Sequence, residues 1–342
     1  MKIVIASYGF LPAIGGVSTT VAIQASEFAK AGHDVTVVTL EPGPTEGYGH
    51  RVVRRPGPLT LFRLYKQADV LILANLSLQL IYPLVILRRP FGLQHHSESA
   101  FKLSRSLFSA DLLRRAVLPR ARHFMTSAFI GRKSGFPRYV VTHPFSSSHN
   151  ITPDVVRAPN ERADVLFVGR LEPEKGVMWM LERWPRIREA LGVEKLRVVG
   201  AGSLSATIES MTSAGQLPGV DFVGPLSGPD TAREMGAAAY VLVPSLWEEP
   251  FGAVALEGLT AGAITVLSNR GGLTETTGDL GVFFDPDDEA SFDAALKTAR
   301  EKFDLHRQST SAHEAYRRRV ADHVASFKPS VVVAKILHEM AA

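Results

Sequence analysis

Lys2-Ile-Val-Ile-Ala6, Pro12-Ala-Ile-Gly-Gly16 and Val17–Ala31 follow one another as an apolar strand, a glycine-bearing loop and an amphipathic helix stopped by Gly32 as a C-cap. The same unit recurs. Further strand candidates are Val35–Leu40, Arg51–Arg54, Val70–Ala74, Gly92–His95, His123–Thr126 and Tyr139–Thr142. Mostly apolar strands alternating with amphipathic helices predict a parallel sheet covered on both faces. Ser147–Arg162 is polar, carries Pro153 and Pro159, and reads as a linker. The pattern then restarts, with strands at Asp164–Val168, Leu196–Val199, Val220–Val223, Tyr240–Val243, Ile264–Leu267 and Val282–Phe284. Helices Glu289–Lys302, His306–Ser326 and Pro329–Met340 follow. The expected class is α/β, with two Rossmann-like doubly wound domains at 1–150 and 160–326 and a helix at about 327–342 packed back on the first. Ligands of such sheets lie beyond the carboxyl ends of the strands, so the expected site is a central cleft between the facing domains.

Composition narrows the classes. A chain of 342 residues accommodates two domains of about 150 residues. It has no cysteine, which excludes disulfides and Cys-ligated zinc and leaves nothing to argue for secretion. MKIVIASYGF enters a glycine loop too soon for a signal peptide and reads as a first buried strand. Val70–Leu87 is apolar, but Asn75, Ser77, Gln79 and Pro83 interrupt it, and it reads as a strand followed by a helix over Ser77–Leu87 rather than a membrane span. Residues 1–150 hold 18 Lys+Arg against 7 Asp+Glu, a net of +11, and the remainder nets −7. Such asymmetry predicts that the first half meets something anionic.

Three loops carry candidate chemistry. Gly15 and Gly16 allow close backbone approach at a helix start, where free N–H groups and the positive dipole end favour an anion; the plainer reading is a tight turn needing positive φ. In Gly169-Arg-Leu-Glu-Pro-Glu-Lys-Gly176, Arg170 and Lys175 project beyond a strand's carboxyl end and are suited to phosphate oxygens. Equally, Glu172 and Glu174 could pair with them in a solvated loop. In Glu249-Pro-Phe-Gly-Ala-Val-Ala-Leu-Glu257, Pro250 and Gly252 shape the entry to a helix over Ala253–Ala261. Glu249 at its entrance is a routine dipole partner or an acceptor for sugar hydroxyls. Glu257 lies among Ala, Leu and Gly, where a carboxylate is costly unless paired.

These residues, in this order, resemble the family 4 retaining glycosyltransferases of GT-B fold. The resemblance runs nearly end to end and includes Ala31-Gly-His-Asp-Val-Thr-Val-Val-Thr39, Val199-Gly-Ala-Gly202, Asn269-Arg-Gly-Gly-Leu-Thr-Glu275 and Gly281-Val-Phe-Phe-Asp-Pro286. It implies that the Gly15–Gly16 loop presents backbone N–H to a diphosphate and that Arg170 and Lys175 clamp the same phosphates. It also implies that Glu249 bonds the donor sugar's hydroxyls, that Phe251 and Gly252 place sugar and phosphate through their backbone, and that Glu257 holds the ribose. The base would lie near Phe222–Pro225. Of two adjacent histidines, His96 matches the family's position beside the reacting sugar, and His95 reads as a strand-end residue. Ala261-Gly-Ala-Ile-Thr-Val266 lacks the proline often found before its strand, and His143-Pro144 stands where Asn-Pro is common.

The implied activity is transfer, with retention, of a hexose-type sugar from a nucleoside diphosphate, UDP favoured over GDP, to a hydroxyl acceptor. No cofactor or obligatory metal is expected, since the protein supplies the phosphate counter-charge. Asp285-Pro-Asp287 resembles an Asp-x-Asp metal motif only superficially, and Asp287 or Asp288 is placed to cap the next helix. The favoured acceptor is a lipid-linked or polysaccharide precursor, because Phe101–Arg122 interleaves apolar and basic residues as a surface helix on an anionic membrane does. Ordinary packed helices would show the same pattern. A cytoplasmic protein, at the inner membrane face if that contact forms, is expected, with no nucleic-acid partner. Alternatives are a soluble natural-product acceptor, a GT-B-like nucleotide-sugar epimerase and a non-catalytic binding protein. A nicotinamide dehydrogenase would use Gly200-Ala-Gly202 and Asp221, but Ser205 replaces the third glycine.

Overall fold

The computed structural model describes residues 1–13, 15–96, 111–144 and 151–341. The chain forms two compact units, Met1–Phe145 with Ser326–Ala342, and Ser146–Ala325.

In the first unit the order is β1 (Lys2–Ser7), α1 (Gly16–Lys30), β2 (Asp34–Thr39), β3 (Arg51–Arg54), α2 (Pro58–Gln67), β4 (Val70–Ala74), α3 (Leu78–Leu87), β5 (Phe91–His95), α4 (Asp111–Val117), β6 (Ala121–Met125), α5 (Ala128–Ser134) and β7 (Val140–Val141). The sheet order is β3-β2-β1-β4-β5-β6-β7, and every pairing is parallel. The continuous apolar run of β1 follows from burial on both faces. Ile3 and Ile5 pack with Val21 and Phe28 of α1, whereas Val4 and Ala6 pack with Leu61 and Tyr65 of α2 and Leu80 of α3. No element was expected over α2, which buries only Leu61 and Tyr65, one turn apart.

The second unit runs β8 (Ala163–Val168), α6 (Val177–Glu182), α7 (Trp184–Leu191), β9 (Leu196–Val199), α8 (Ser205–Ser213), β10 (Val220–Gly224), α9 (Gly228–Ala237), β11 (Ala238–Val243), α10 (Ala253–Ala261), β12 (Ile264–Ser268), α11 (Leu273–Thr277), β13 (Val282–Phe284), α12 (Glu289–Gln308) and α13 (Thr310–Ala325). Its parallel sheet is ordered β10-β9-β8-β11-β12-β13. Helix α14 (Pro329–Ala341) then buries Val332, Val333 and Ile336 in the core of the first unit. The expected α/β class, two doubly wound Rossmann-like sheets, is the class found.

Two sequence readings are corrected. Helix α12 does not stop at Lys302. It continues to Gln308 because Phe303 and His306 extend the buried stripe of Phe292, Leu296 and Ala299. Nor is the described part of the linker loose. Arg157 N–H donates to Gly236 O at 3.1 Å, and the buried Arg162 guanidinium donates to Ala261 O at 2.6 Å and to Ala238 O at 3.4 Å. An arginine that looks like a solvated linker residue therefore caps buried carbonyls. The Val70–Leu87 stretch divides into β4 and α3, and no helix among the described residues is long and apolar enough to cross a membrane.

Candidate functional site

Strand order reverses between β1 and β4 in the first unit and between β8 and β11 in the second. In open α/β sheets these switch points leave a crevice outside the carboxyl strand ends. The loops after β8 and β11 meet in this way. Leu246 N–H donates to Glu174 O at 2.9 Å. Gly176, at φ 72°, comes so close that a Cβ there would lie 1.9 Å from Pro244 O.

This contact brings two expected residues together. Lys175 Nζ donates to Glu249 Oε1 at 2.5 Å, and Ser245 Oγ donates to the same oxygen at 2.6 Å. The ammonium also lies over the Trp247 ring, 5.0 Å from its centroid. The pair is largely withdrawn from water, with side-chain exposures of 19% and 7%. Both known donors fall on Oε1, so Oε2 receives none among the described residues and is available to a ligand hydroxyl.

A second loop supports the Glu249 backbone. Gly272 N–H donates to Glu249 O at 2.6 Å, and the Thr276 hydroxyl donates to Phe251 O. Gly252, at φ 87°, starts α10 where a Cβ would meet Leu273 Cδ2 at 2.3 Å. Phe251 is buried, and its carbonyl is thereby committed to the fold.

The other expected residues of this unit lie apart from that cluster. Arg170 pairs with Glu174 at 2.8 Å and is more than half exposed, so the alternative of an internal ion pair holds for Arg170 but not for Lys175. Glu172 is occupied by Ser203. Buried Glu257 opens on a pocket of about 260 Å³ lined also by Val168, Leu226, Gly228, Thr231 and Met235. The lining thus lies just past Phe222–Pro225, at the start of α9.

In the first unit, Gly15 precedes and Gly16 opens α1. A tight turn does not explain them. Gly15 has an extended backbone, Gly16 lies outside the left-handed region, and a Cβ on either would meet nothing within 4 Å. Their smallness leaves open backbone at a helix N-terminus. Arg54 holds the adjoining loop, donating to Leu11 O at 2.6 Å and to Glu41 O at 2.9 Å.

His96 follows β5, and its Nε2 is buried without a hydrogen-bond partner among the described residues. Burial lowers its imidazole to about 4. His95 Nε2 lies 3.0 Å from His123 Nδ1, and His123 stacks on Phe136 with centroids 3.8 Å apart. Burial, with neighbouring histidines adding, pushes His95 to about 3, and burial pushes His123 to about 4.

Several motifs are absorbed by structure. Gly200 and Gly202 are small because a Cβ would lie 1.8 Å from Gly169 O and 2.5 Å from Leu171 O respectively, and Asp221 faces Lys195 and Arg197. These packing contacts account for the dinucleotide-like pattern. Asp285 and Asp287 face Arg270, and Asp288 caps α12. No cluster of three potential metal ligands occurs among the described residues. Of Phe101–Arg122, residues 101–110 lie outside the described residues. In α4, Leu112 and Leu113 are exposed, whereas Arg114 is tied to Asp111 and Leu76 O.

Sequence reasoning missed Ser245, Trp247, whose ring meets Lys175, and the Gly271–Gly272 support, which reaches Glu249 only by tertiary approach. The serine four residues before Glu249 was the one local signal.

Residues 162–301 match the family model described as Glycosyl transferases group 1. An uncharacterized glycosyltransferase of Methanocaldococcus jannaschii is 37% identical over 112 residues, which are 32% of this chain and only 28% of that relative's length. Among solved structures, sucrose-phosphate synthase from Thermosynechococcus elongatus superposes with a TM-score of 0.73 at 22% identity, over 98% of this chain and 97% of that one. Anabaena HepE in complex with UDP gives a TM-score of 0.75 at 16% identity, over 100% of both chains. Residues 162–301 thus resemble the glycosyl transferases group 1 domain, in a chain whose two parallel Rossmann-like sheets have the fold of GT-B glycosyltransferases.

Proposed function

We propose that the protein is a retaining glycosyltransferase that moves a hexose-type sugar from a nucleoside diphosphate to a hydroxyl acceptor. The observation that carries this reading is the pairing of Lys175 with Glu249 at a switch point, with Glu257 one turn into the following helix in a separate pocket. Lys175 meets a phosphate while Glu249 Oε2 accepts a sugar hydroxyl, and Glu257 accepts from the ribose. At about 260 Å³ the pocket falls just under the usual range of roughly 300–1,000 Å³ for small-molecule sites, which favours uridine over guanosine. The solved relative carrying UDP supports the same choice.

In this mechanism the sugar passes through an oxocarbenium-like transition state, and the acceptor attacks on the face that the diphosphate leaves. Lys175, Arg170 after release from Glu174, and the N–H groups around Gly15 and Gly16 stabilise the departing charge. The leaving phosphate accepts the acceptor's proton, so Glu249 orients rather than acting as a base. His96, neutral at physiological pH, meets the sugar from the first unit. The protein supplies the counter-charge itself and needs no obligatory metal. The acceptor we favour is lipid-linked or a polysaccharide precursor at an anionic membrane face, because residues 1–150 net +11 and Leu112 and Leu113 are exposed.

Calorimetric titration with UDP, GDP and their sugar conjugates tests the donor. Binding of UDP by wild type, weakened at least tenfold in Glu257→Ala, is the expected result. Failure to bind either nucleotide, with or without acceptor, would sink the proposal.

A further inference from the structure

Two buried hydroxyls stand behind the Lys175–Glu249 pair. Ser268, the last residue of β12, donates through Oγ to Ser245 O at 2.7 Å, and Ser245 Oγ donates to Glu249 Oε1 at 2.6 Å. Ser245 is 1% exposed and Ser268 0%. A serine buried this deeply need only find one acceptor to be satisfied, and nearby carbonyls commonly serve. Here it spends its donor on an ionised carboxylate that already receives an ammonium.

The geometry has a consequence for the carboxylate. The terminal torsion of a glutamate is broad and nearly two-fold, so a single donor lets the two oxygens exchange places and the plane swing. Lysine alone is a weak constraint, because its ammonium is a point charge on a flexible stem. Two donors reaching one oxygen, Lys175 across 74 residues of sequence and Ser245 across four, remove that freedom. Oε1 is closed by the protein, and Oε2, with no donor among the described residues, is held in one orientation.

We propose that Ser245 is a positioning residue for sugar transfer, fixing Glu249 so that Oε2 alone meets the donor sugar, with Ser268 holding Ser245 through its carbonyl. This rests on the proposed function, in which Glu249 orients the sugar. Ser245 is buried and reaches the donor only through Glu249, so its removal acts on transfer more than on nucleotide capture. Misplacement of an orienting group by about 1 Å can cost on the order of 100-fold in rate.

Ser245→Ala and Ser245→Thr test this in the full-length protein. Expected for Ser245→Ala is a kcat lower by about 10- to 100-fold, with a far smaller loss of UDP affinity and a melting temperature lowered only as loss of one buried hydrogen bond implies. Ser245→Thr, which keeps the hydroxyl, recovers most of the kcat. Reductive methylation of Lys175, followed by peptide mass spectrometry, gives a readout independent of turnover: a loosened pair reacts several-fold faster in Ser245→Ala. An unchanged kcat, or a kcat that falls only in step with UDP affinity and melting temperature, overturns the proposal. So does unchanged labelling of Lys175. If wild type turns over no nucleotide sugar, the donor reading fails by itself, and the labelling result alone decides whether Ser245 holds the pair.

Discussion

Gly271 is the residue on which the backbone of Glu249 rests: a Cβ at Gly271 would lie 2.3 Å from Glu249 O and 2.6 Å from Glu249 N. Its φ of 65° adds a left-handed conformation that side-chain-bearing residues adopt at a cost. Gly215 provides a control, with φ 70° and nothing within 4 Å of the missing Cβ. Gly215→Ala should cost about 1–2 kcal/mol, the backbone component alone. Gly271→Ala should cost more, about 2–5 kcal/mol including the overpacking component, and lower kcat more than tenfold. Thermal melting and steady-state kinetics on both variants check this.

Gly16→Ala should behave in the opposite sense. The position opens α1 in free space, and alanine is the better helix former by up to about 1 kcal/mol. The melting temperature should hold or rise while UDP affinity falls at least tenfold and uridine affinity does not change. Loss of uridine binding would refute the phosphate assignment of this loop.

Chelation should leave turnover intact. The carboxylates of Asp285 and Asp287 face Arg270, and Asp288 caps a helix, so all three have protein partners. Activity after dialysis against EDTA should stay within about twofold of the untreated enzyme, as expected where fixed cations stabilise the leaving group. Loss of activity restored by a divalent cation would contradict a metal-free mechanism.

Buried histidines set the acid limit of stability. His95, His123 and His306 are lowered by burial to between about 3 and about 4. In the unfolded chain these imidazoles titrate near 6.5. Between these values the unfolded state therefore binds protons that the folded state does not, and stability falls as pH drops below 6.5. The slope is up to about 1.4 kcal/mol per pH unit for each such histidine. Denaturant midpoints at pH 7 and pH 5 should show the drop, and His123→Gln should shrink it. An equal drop in the variant would remove His123 from this account.

Strands were legible because both faces are buried. Val70–Ala74 reads as an unbroken apolar run and Leu196–Val199 as one broken only by Arg197, and the structure begins and ends both at the same residues. Helices with thin or mixed stripes were harder. His306 looks like a polar break, yet it is buried and forms ring contacts with His313 and Tyr316. At the site, a residue's chemical type was visible but not its partner. Arg170 and Lys175 share one loop, and only folding assigns the first to Glu174 and the second to Glu249. Gly15 was ambiguous between a turn and a ligand approach until its φ and its empty surroundings were known.

Because α14 belongs to the first unit although it follows the second in sequence, the second unit is an insertion with both its ends joined to the first. This has a temporal side. On the ribosome, residues 146–325 are complete and free to fold before Val332, Val333 and Ile336 have been made, while the sheet that began at Lys2 still lacks part of one face. The half synthesised first is thus the half finished last. Until then its uncovered apolar surface is the stretch most in need of a chaperone.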